Sequence, residues 1–428
     1  MSFRFETLAI HGGLREDDTR ARALPVHRTA AYTFKDLRHA HELFSLKVPG
    51  HIYTRMSNPT QDALEERIAL LEGGAGALAL SSGTSAIFYT FINLARQGDE
   101  IVAASNLYGG THTMLHDILP QFGIRAKLVR PNDLDGFAAA ITDKTRAVYV
   151  ESIGNPTLET ADISALAELA HSRGLPLIVD ATFSTPALQR PLTQGADIVI
   201  HSLTKWIGGH GTAIGGIVVD GGSFDWKNPR FELYNEPDES YHGVRWAHDL
   251  GDLPPFIVRM RTVPLRNLGA CISPDNSWIF LQGLESLSLR MAKHSENAMT
   301  VAEYLAAHPK AAWVKYPGLA SDPFHSLARK YLSGGFGGMV VFGVPGSGAT
   351  ALRNGARFIE SLKLFSHLAN VGDAKSLALH PAGTTHSQLS GEQQDLSGIR
   401  TEMIRLSIGL EHPDDILEDL EQALANLE

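Results

Sequence analysis

The chain of 428 residues has a single cysteine, Cys271, and lacks the features that mark several classes of protein. One cysteine excludes an intrachain disulfide and a cysteine-based metal site. There is no run of Lys or Arg, and the formal charge of −10 argues against a nucleic-acid-binding surface. No apolar stretch is long enough to cross a bilayer, and residues 1–13 lack a signal-peptide pattern. We therefore expect a cytoplasmic protein with no nucleic-acid or membrane partner.

Several catalytic and cofactor motifs are also missing. The glycine-rich residues 209–215 do not match the GxGxxG dinucleotide fingerprint, and no GxxxxGK[ST] phosphate loop occurs. The 19 histidines include no HExxH pair or other zinc spacing, and no GxSxG turn is present. These absences argue against dinucleotide, P-loop, zinc and serine-hydrolase chemistry, and we expect no bound metal.

What the chain does contain predicts an α/β protein with more than one domain, because 428 residues exceed one ordinary core. Residues 1–60 read as an irregular arm that has too little apolar surface to fold alone. Residues 61–280 read as a large α/β domain with a mostly parallel sheet, and residues 281–428 as a smaller α+β domain. A long helix at 281–305 is expected to bridge the two.

The prediction of a parallel sheet comes from short apolar runs that alternate with helical patterns. We expect strands at residues 75–80, 101–104, 126–129, 147–150, 177–179 and 198–201, and in the smaller domain at 313–316, 338–342 and 403–408. A closing helix is expected at 413–427. Sheets of this kind bind ligands at the carboxyl ends of their strands.

Polar and basic side chains follow these predicted strands. Lys205 comes after the strand at 198–201, in a segment that also carries the hydroxyls of Ser202 and Thr204. Asp180 directly follows the strand at 177–179. Since the strands end at one edge of the sheet, we expect these groups to lie close together.

Two more segments complete a pattern. Ser82, Gly83 and Thr84 lie between a predicted strand and a predicted helix, where free backbone N–H groups favour a phosphate. Tyr108 precedes two glycines and offers a ring for stacking. A lysine, an acid, a phosphate cradle and a stacking ring are what pyridoxal 5′-phosphate (PLP) requires, so the residues predict a PLP site.

Each residue alone also has an ordinary structural explanation. Lys205 fits a surface lysine after a strand, Asp180 fits a helix-cap or loop aspartate, and Tyr108 fits a turn tyrosine. Residues 82–84 fit a plain helix cap, and Arg405 fits a strand arginine paired on the surface.

Longer stretches of the sequence resemble the Cys/Met-metabolism family of PLP-dependent enzymes over nearly the whole chain. The similar segments follow the family's order: residues 53–55 and 58–60, then 81–84, 107–109, 151–156, 180–186, 195–216 and 405–409. The resemblance implies the fold of type I PLP enzymes.

The resemblance also implies roles for individual residues. Lys205 is the expected Schiff-base lysine and proton shuttle, and Asp180 the partner of the pyridine nitrogen. Tyr108 stacks on the ring and assists the exchange of amines, and Asn155 contacts the ring hydroxyl. The remaining expected contacts are Ser82, Gly83, Thr84, Ser202 and Thr204 to the phosphate, and Asn370 and Arg405 to the substrate.

Tyr53 and Arg55 are implied to reach the phosphate of a neighbouring subunit. A homodimer is then the catalytic unit, and two dimers are expected to form a homotetramer. Arg405 matches the arginine that holds the substrate carboxylate, which a guanidinium binds bidentately.

Within the family, the chain length and the aromatic segment at 221–276 are most similar to the O-acetylhomoserine sulfhydrylases. The implied reaction is γ-replacement on O-acetyl-L-homoserine with sulfide or methanethiol, giving homocysteine or methionine plus acetate. Alternatives are cystathionine γ-synthase, O-succinylhomoserine sulfhydrylase, methionine γ-lyase and a noncatalytic relative. Gly110 stands where methionine γ-lyases carry cysteine, which favours transfer.

The chain departs from the family pattern at three positions. Thr84 stands where Gln or Met is usual, Ala181 where Asn is usual, and Asn370 where many relatives have Ser. The choice of acyl group and sulfur donor is expected to depend on pocket shape near residues 221–276.

Overall fold

The computed structural model of the chain describes residues 3–16, 18–384 and 398–428. The N-terminal arm contains two short helices, α1 (Phe5–His11) and α2 (Leu37–Phe44). Asp36 begins α2 by accepting a hydrogen bond from the backbone N–H of His39 at 2.7 Å. The arm thus contains two helices that the sequence did not predict, because helices of seven and eight residues are too short to show a clear period.

A seven-stranded sheet forms the centre of the larger part of the chain. Its strands are β1 (Gly76–Leu80), β2 (Glu100–Ala104), β3 (Arg125–Val129), β4 (Thr145–Glu151), β5 (Leu177–Asp180), β6 (Ile198–Ser202) and β7 (Gly216–Asp220), in the order β1-β7-β6-β5-β4-β2-β3. β2 to β6 run parallel, and β7 pairs antiparallel with β1 and β6. The predicted α/β fold with a mostly parallel sheet is confirmed, although the sequence did not predict β7.

Helices cover this sheet and its connections. They are α3 (Pro59–Glu72), α4 (Gly83–Leu94), α5 (Gly109–Thr113), α6 (Leu134–Ala140), α7 (Ile163–Ser172), α8 (Thr185–Leu188), α9 (Glu232–Asn235), α10 (Pro255–Met260), α11 (Arg266–Leu268) and α12 (Pro274–Glu285). α5 continues through a π-helical turn, Met114–Ile118, and a 3₁₀ turn, Leu119–Phe122. A second π-helical turn, Arg261–Leu265, joins α10 to α11. Shorter 3₁₀ turns lie at Pro191–Gln194 and Glu239–Tyr241.

A five-stranded sheet forms the smaller part. Its strands are β8 (Trp313–Lys315), β9 (Met339–Gly343), β10 (Ser366–His367), β11 (Leu377–Leu379) and β12 (Met403–Ser407), in the order β10-β11-β12-β9-β8. Its helices are α13 (Leu287–Ala307), α14 (His325–Tyr331), α15 (Gly348–Ser361) and α16 (Pro413–Ala425), with a 3₁₀ turn at Pro381–Gly383. Within the described residues, no helix combines the length and apolar character needed to span a bilayer.

The predicted bridging helix at 281–305 is in fact two helices, α12 and α13, which meet at Ser286. The guanidinium of Arg290 donates a hydrogen bond to the carbonyl of Gly283 at 2.6 Å and another to the Ser286 hydroxyl. The series of backbone hydrogen bonds along the helix is therefore interrupted there. α13 still bridges, since Met291 packs in the core of the large sheet and Val301 in that of the small sheet. Domain boundaries at residues 60 and 280 stay predictions.

Candidate active site

One pocket of about 280 Å³ opens where β4, β5 and β6 end and where β12 of the smaller sheet faces them. All predicted site residues except Tyr53 and Arg55 line it. From the large sheet and its loops these are Ser82, Gly83, Thr84, Tyr108, Asn155, Asp180, Ser202, Thr204 and Lys205, and from the smaller part Asn370 and Arg405. Residues up to 323 positions apart in the sequence (82 and 405) thus share one cavity.

Lys205 lies in the turn that follows β6, and its amine points across the pocket. Nζ donates a hydrogen bond to Oδ1 of Asn370 at 2.5 Å. Burial, together with the positive charge of Arg405, lowers the pKa of Lys205 to about 8. A neutral amine is therefore accessible near neutral pH, and a neutral amine is the form that bonds to a carbonyl.

Asp180 is the last residue of β5 and is only 8% exposed. Its Oδ1 accepts the backbone N–H of Thr182 at 2.9 Å, and the hydroxyl of Tyr149 lies 3.4 Å from Oδ2. Burial raises the pKa of Asp180, while the hydrogen bonds from Thr182 oppose that rise. A buried acid held by donors in this way suits a cationic ring nitrogen as its partner.

The N-terminus of α4 forms the opposite end of the pocket. Ser82 caps the helix by accepting the backbone N–H of Ser85 at 3.0 Å, and the other first-turn N–H groups have no acceptor within the helix. A Cβ at Gly83 would lie 2.7 Å from the Cβ of Ser202, so only glycine lets the helix approach β6 this closely. The free N–H groups and the Ser202 hydroxyl fit a phosphate. Thr204 is already paired with the backbone N–H of Gly215 at 3.1 Å.

The C-terminal end of α4 is held by the segment at 221–276. The guanidinium of Arg259 donates to the carbonyl and the side-chain oxygen of Asn93, at 3.2 and 2.7 Å. The side-chain amide of Asn93 donates to the Tyr234 hydroxyl at 2.9 Å. Among the described residues of this chain, none from 221–276 lines the pocket. Within one chain the segment contacts α4 and not the cavity wall, and its expected influence on the choice of acyl group and sulfur donor stays a prediction.

Arg405 enters the pocket from β12 and is 5% exposed. Its Nη1 donates to Oδ1 of Asn155 at 2.8 Å. Burial lowers the pKa of Arg405 to about 10, so the side chain stays cationic at neutral pH. Asn155 is a neutral partner, and the guanidinium fork fits a substrate carboxylate.

Sequence reasoning missed part of the pocket. Glu151, Thr182 and six apolar or small residues also line it: Ile87, Ile153, Phe183, Ile214, Ala369 and Val371. Apolar walls carry no motif and have no sequence signal. Glu151 did have one, because it begins the segment 151–156 that resembles the family.

Tyr53 and Arg55 lie outside the pocket of their own chain. The Tyr53 side chain is 42% exposed, and the Arg55 guanidinium lies 5.1 Å from the centre of its ring. Tyr53 is therefore on the surface of a single chain, and Arg55 lies partly buried beside it.

The whole chain matches known proteins. The model of the family described as Cys/Met metabolism PLP-dependent enzyme matches residues 6–425. O-acetyl-L-homoserine sulfhydrylase of Leptospira meyeri is 50% identical, covering 100% of this chain and 98% of the relative. Homocysteine synthase of Schizosaccharomyces pombe is 49% identical, covering 99% and 98%.

Solved structures agree with these sequence matches. A Campylobacter jejuni protein assigned as an O-acetylhomoserine (thiol)-lyase superposes with a TM-score of 0.96 at 41% identity, covering 99% of this chain and 100% of that one. It carries N'-pyridoxyl-lysine-5'-monophosphate at position 205 of that chain. Cystathionine gamma-lyase of Lactobacillus plantarum gives 0.84 at 33% identity, covering 99% of each chain. The predicted fold and PLP cofactor are confirmed, and this chain belongs to the Cys/Met-metabolism family of PLP-dependent enzymes.

Proposed function

We propose that this chain catalyses γ-replacement on O-acetyl-L-homoserine, with sulfide or methanethiol as the nucleophile and homocysteine or methionine plus acetate as products. The observation that carries the proposal is the single pocket in which Lys205, Asp180 and Arg405 meet. The names of the relatives at 48–50% identity support the choice of substrate.

PLP supplies an electron sink for the pair released when a bond to Cα of the substrate is broken. The residues of this chain supply orientation and proton transfer. Arg405 would hold the substrate carboxylate, and Asp180 would hold the ring nitrogen in its protonated form. Tyr108 and Asn155 would contact the face and the hydroxyl edge of the ring, and the first turn of α4 with Ser202 would hold the phosphate.

Lys205 is the proposed carrier of the cofactor and the proton shuttle. With PLP bound, the neutral Nζ would take the proton from Cα of the substrate, pass it to the cofactor and, neutral again, take one from Cβ. The bond from Cγ to oxygen would break, and acetate would leave with the electron pair. Hydrosulfide or methanethiolate would then form the new bond to Cγ, and protons would return to Cβ and Cα. One homoserine ester and one hydrosulfide or methanethiolate are consumed, and homocysteine or methionine, respectively, is formed with one acetate.

The decisive experiment is a panel of homoserine esters, acetyl and succinyl, tested with sulfide and with methanethiol. We expect homocysteine and acetate from the acetyl ester with sulfide. Release of 2-oxobutyrate without sulfide, and no homocysteine with it, would overturn the proposal. A preference for the succinyl ester would instead favour an O-succinylhomoserine sulfhydrylase.

A γ-lyase is the second candidate, because a cystathionine gamma-lyase shares the fold. Gly110 disfavours only the methionine γ-lyases among these, because they are expected to carry cysteine at this position. A Cβ at residue 110 would lie 2.6 Å from the ring of Tyr108, so a cysteine there requires a different position for that ring. The observed position of the Tyr108 ring therefore requires glycine at residue 110.

We also propose that Tyr53 and Arg55 complete the phosphate site of a neighbouring subunit, in a homodimer that pairs into a homotetramer in the cytoplasm. Their position outside the pocket of their own chain supports this. Light scattering of the wild type and cofactor retention in Arg55→Ala test it. A monomer that keeps its cofactor through dialysis would contradict it.

A further inference from the structure

Glu151 is a buried acid in the pocket to which the proposed reaction gives no role. It is the last residue of β4 and is 8% exposed. Its register partner on β5 is Asp180, and residues paired across parallel strands point to the same face of the sheet. The two carboxyl groups therefore stand side by side on the floor of the pocket.

The contacts of Glu151 run to the groups that hold the cofactor ring. Its Oε1 accepts the backbone N–H of Tyr108 at 2.6 Å. The backbone N–H of Asn155 donates to the carbonyl of Asn106 at 3.2 Å, and the side chain of Asn155 accepts a hydrogen bond from Arg405. The carboxyl group of Glu151 thus holds the backbone of the residue that is proposed to stack on the ring.

Two adjacent buried carboxyl groups do not both ionise readily, because each charge opposes the other. Asp180 has Thr182 and the hydroxyl of Tyr149 as donors, and in the loaded site it faces a cationic ring nitrogen. Burial and the charge of Asp180 raise the pKa of Glu151 well above its usual value. The other titratable groups of the pocket are Tyr108, Lys205 and Arg405, and the charge of Arg405 opposes the rise in the pKa of Glu151 without reversing it. The proton of the pair therefore resides on Glu151.

We propose that Glu151 is a positioning residue for PLP, which fixes the backbone of Tyr108 through its side-chain oxygen and does so as an uncharged carboxylic acid. This inference rests on cofactor binding and not on the choice of acyl substrate. A failure of the ester panel would leave it standing.

The test compares three variants of the holoenzyme by the circular dichroism of the cofactor band and by the rate at which the cofactor is lost on dialysis. Glu151→Gln keeps the acceptor oxygen without a charge, so both readouts should stay within about 2-fold of wild type. Glu151→Ala removes the acceptor, and we expect less than about half the dichroic amplitude and about 10-fold faster cofactor loss. Glu151→Asp withdraws the oxygen by one methylene and should resemble the alanine variant.

The matched control is Glu159→Gln, which alters a partly buried glutamate on the same connection but outside the pocket, and which should leave both readouts unchanged. If Glu151→Ala does not fold, the aspartate and glutamine variants decide, since only the first is expected to lose amplitude. Wild-type dichroism in Glu151→Asp or Glu151→Ala overturns the positioning role. Loss of amplitude in Glu151→Gln equal to that in Glu151→Asp overturns the uncharged state.

Discussion

The two sheets contribute different groups to the same pocket. The loops of the large sheet supply Lys205, Asp180 and the N-terminus of α4, to which we assign the cofactor ring, its nitrogen and its phosphate. The smaller part supplies Asn370, which accepts a hydrogen bond from the Lys205 amine, and Arg405, to which we assign the substrate carboxylate. Under the proposed function, the large sheet holds the cofactor and the small sheet holds the substrate. Variants in the large sheet should therefore lose the cofactor, whereas variants in the small sheet should chiefly weaken substrate binding.

The largest effect is expected on the cofactor side. Lys205→Ala removes both the covalent anchor and the proton shuttle, so turnover should fall by about 1000-fold or more. The absorbance band near the visible edge, which survives dialysis in the wild type, should vanish. Lys293→Ala, an exposed ion-paired lysine, is the control and should keep both. A wild-type protein without colour or activity would favour the noncatalytic relative.

The next effect is expected on the substrate side. Arg405→Lys keeps a charge but loses the bidentate fork, so kcat/KM for the homoserine ester should fall by about 100-fold, chiefly through KM. The cofactor band of this variant should match that of the wild type. If Arg405→Lys lost the cofactor while KM for the ester stayed unchanged, the assignment of the small sheet to substrate binding would be contradicted.

The hydrogen bond from Lys205 of the large sheet to Asn370 of the smaller part can be tested through the pH dependence of PLP binding. With the pKa of Lys205 lowered to about 8, only about a tenth of the amine is neutral at pH 7 and about nine tenths at pH 9. The rate at which the apoprotein bonds to PLP should therefore rise roughly 10-fold over this range. Asn370→Ala removes an acceptor from the ammonium form and should move the midpoint lower. A midpoint near that of an ordinary lysine would contradict the buried, Arg405-facing amine.

The smallest effect is expected at Gly110, on the cofactor side. A side chain here must displace the Tyr108 ring, because its Cβ would lie 2.6 Å from Cε1. Gly110→Ala and Gly110→Cys should lower turnover by about 2- to 10-fold and alter the dichroism of the cofactor band, without changing KM for the ester. Equal dichroism in all three proteins would show that Tyr108 does not depend on glycine at this position.

The sequence predicted the cofactor half of this arrangement better than the rest. Lys205, Asp180 and residues 82–84 sit where strands meet loops, and strand ends are readable from alternating apolar runs. β7 is absent from the predicted strands, because it directly follows the glycine-rich residues 209–215 and pairs antiparallel with β6, outside the alternation of strands and helices. The sequence predicts one continuous bridging helix. Its interruption depends on a hydrogen bond from the Arg290 side chain to the carbonyl of Gly283, which hydrophobic periodicity does not indicate.

The substrate half was harder to derive from spacing. Arg405 and Asn370 were identified only by resemblance, since nothing local shows that β12 faces the ends of β5 and β6. The apolar wall, with Ile87 and Phe183, carries no pattern distinct from core packing. Glu151 lay inside a recognised motif, yet its place beside Asp180 follows only from the register of two strands.

The double attachment of α4 has a consequence for anyone reshaping this protein. A helix of 12 residues is a rod about 18 Å long, with the phosphate cradle at its head and the grip of Arg259 and Tyr234 on Asn93 at its tail. Deleting residues 221–276 would remove no pocket residue of this chain, but it would remove the contacts that hold the C-terminal end of α4. In protein engineering, residues 221–276 therefore have to be treated as structural support, since changes there can displace the phosphate-binding N-terminus of α4 through its C-terminal end.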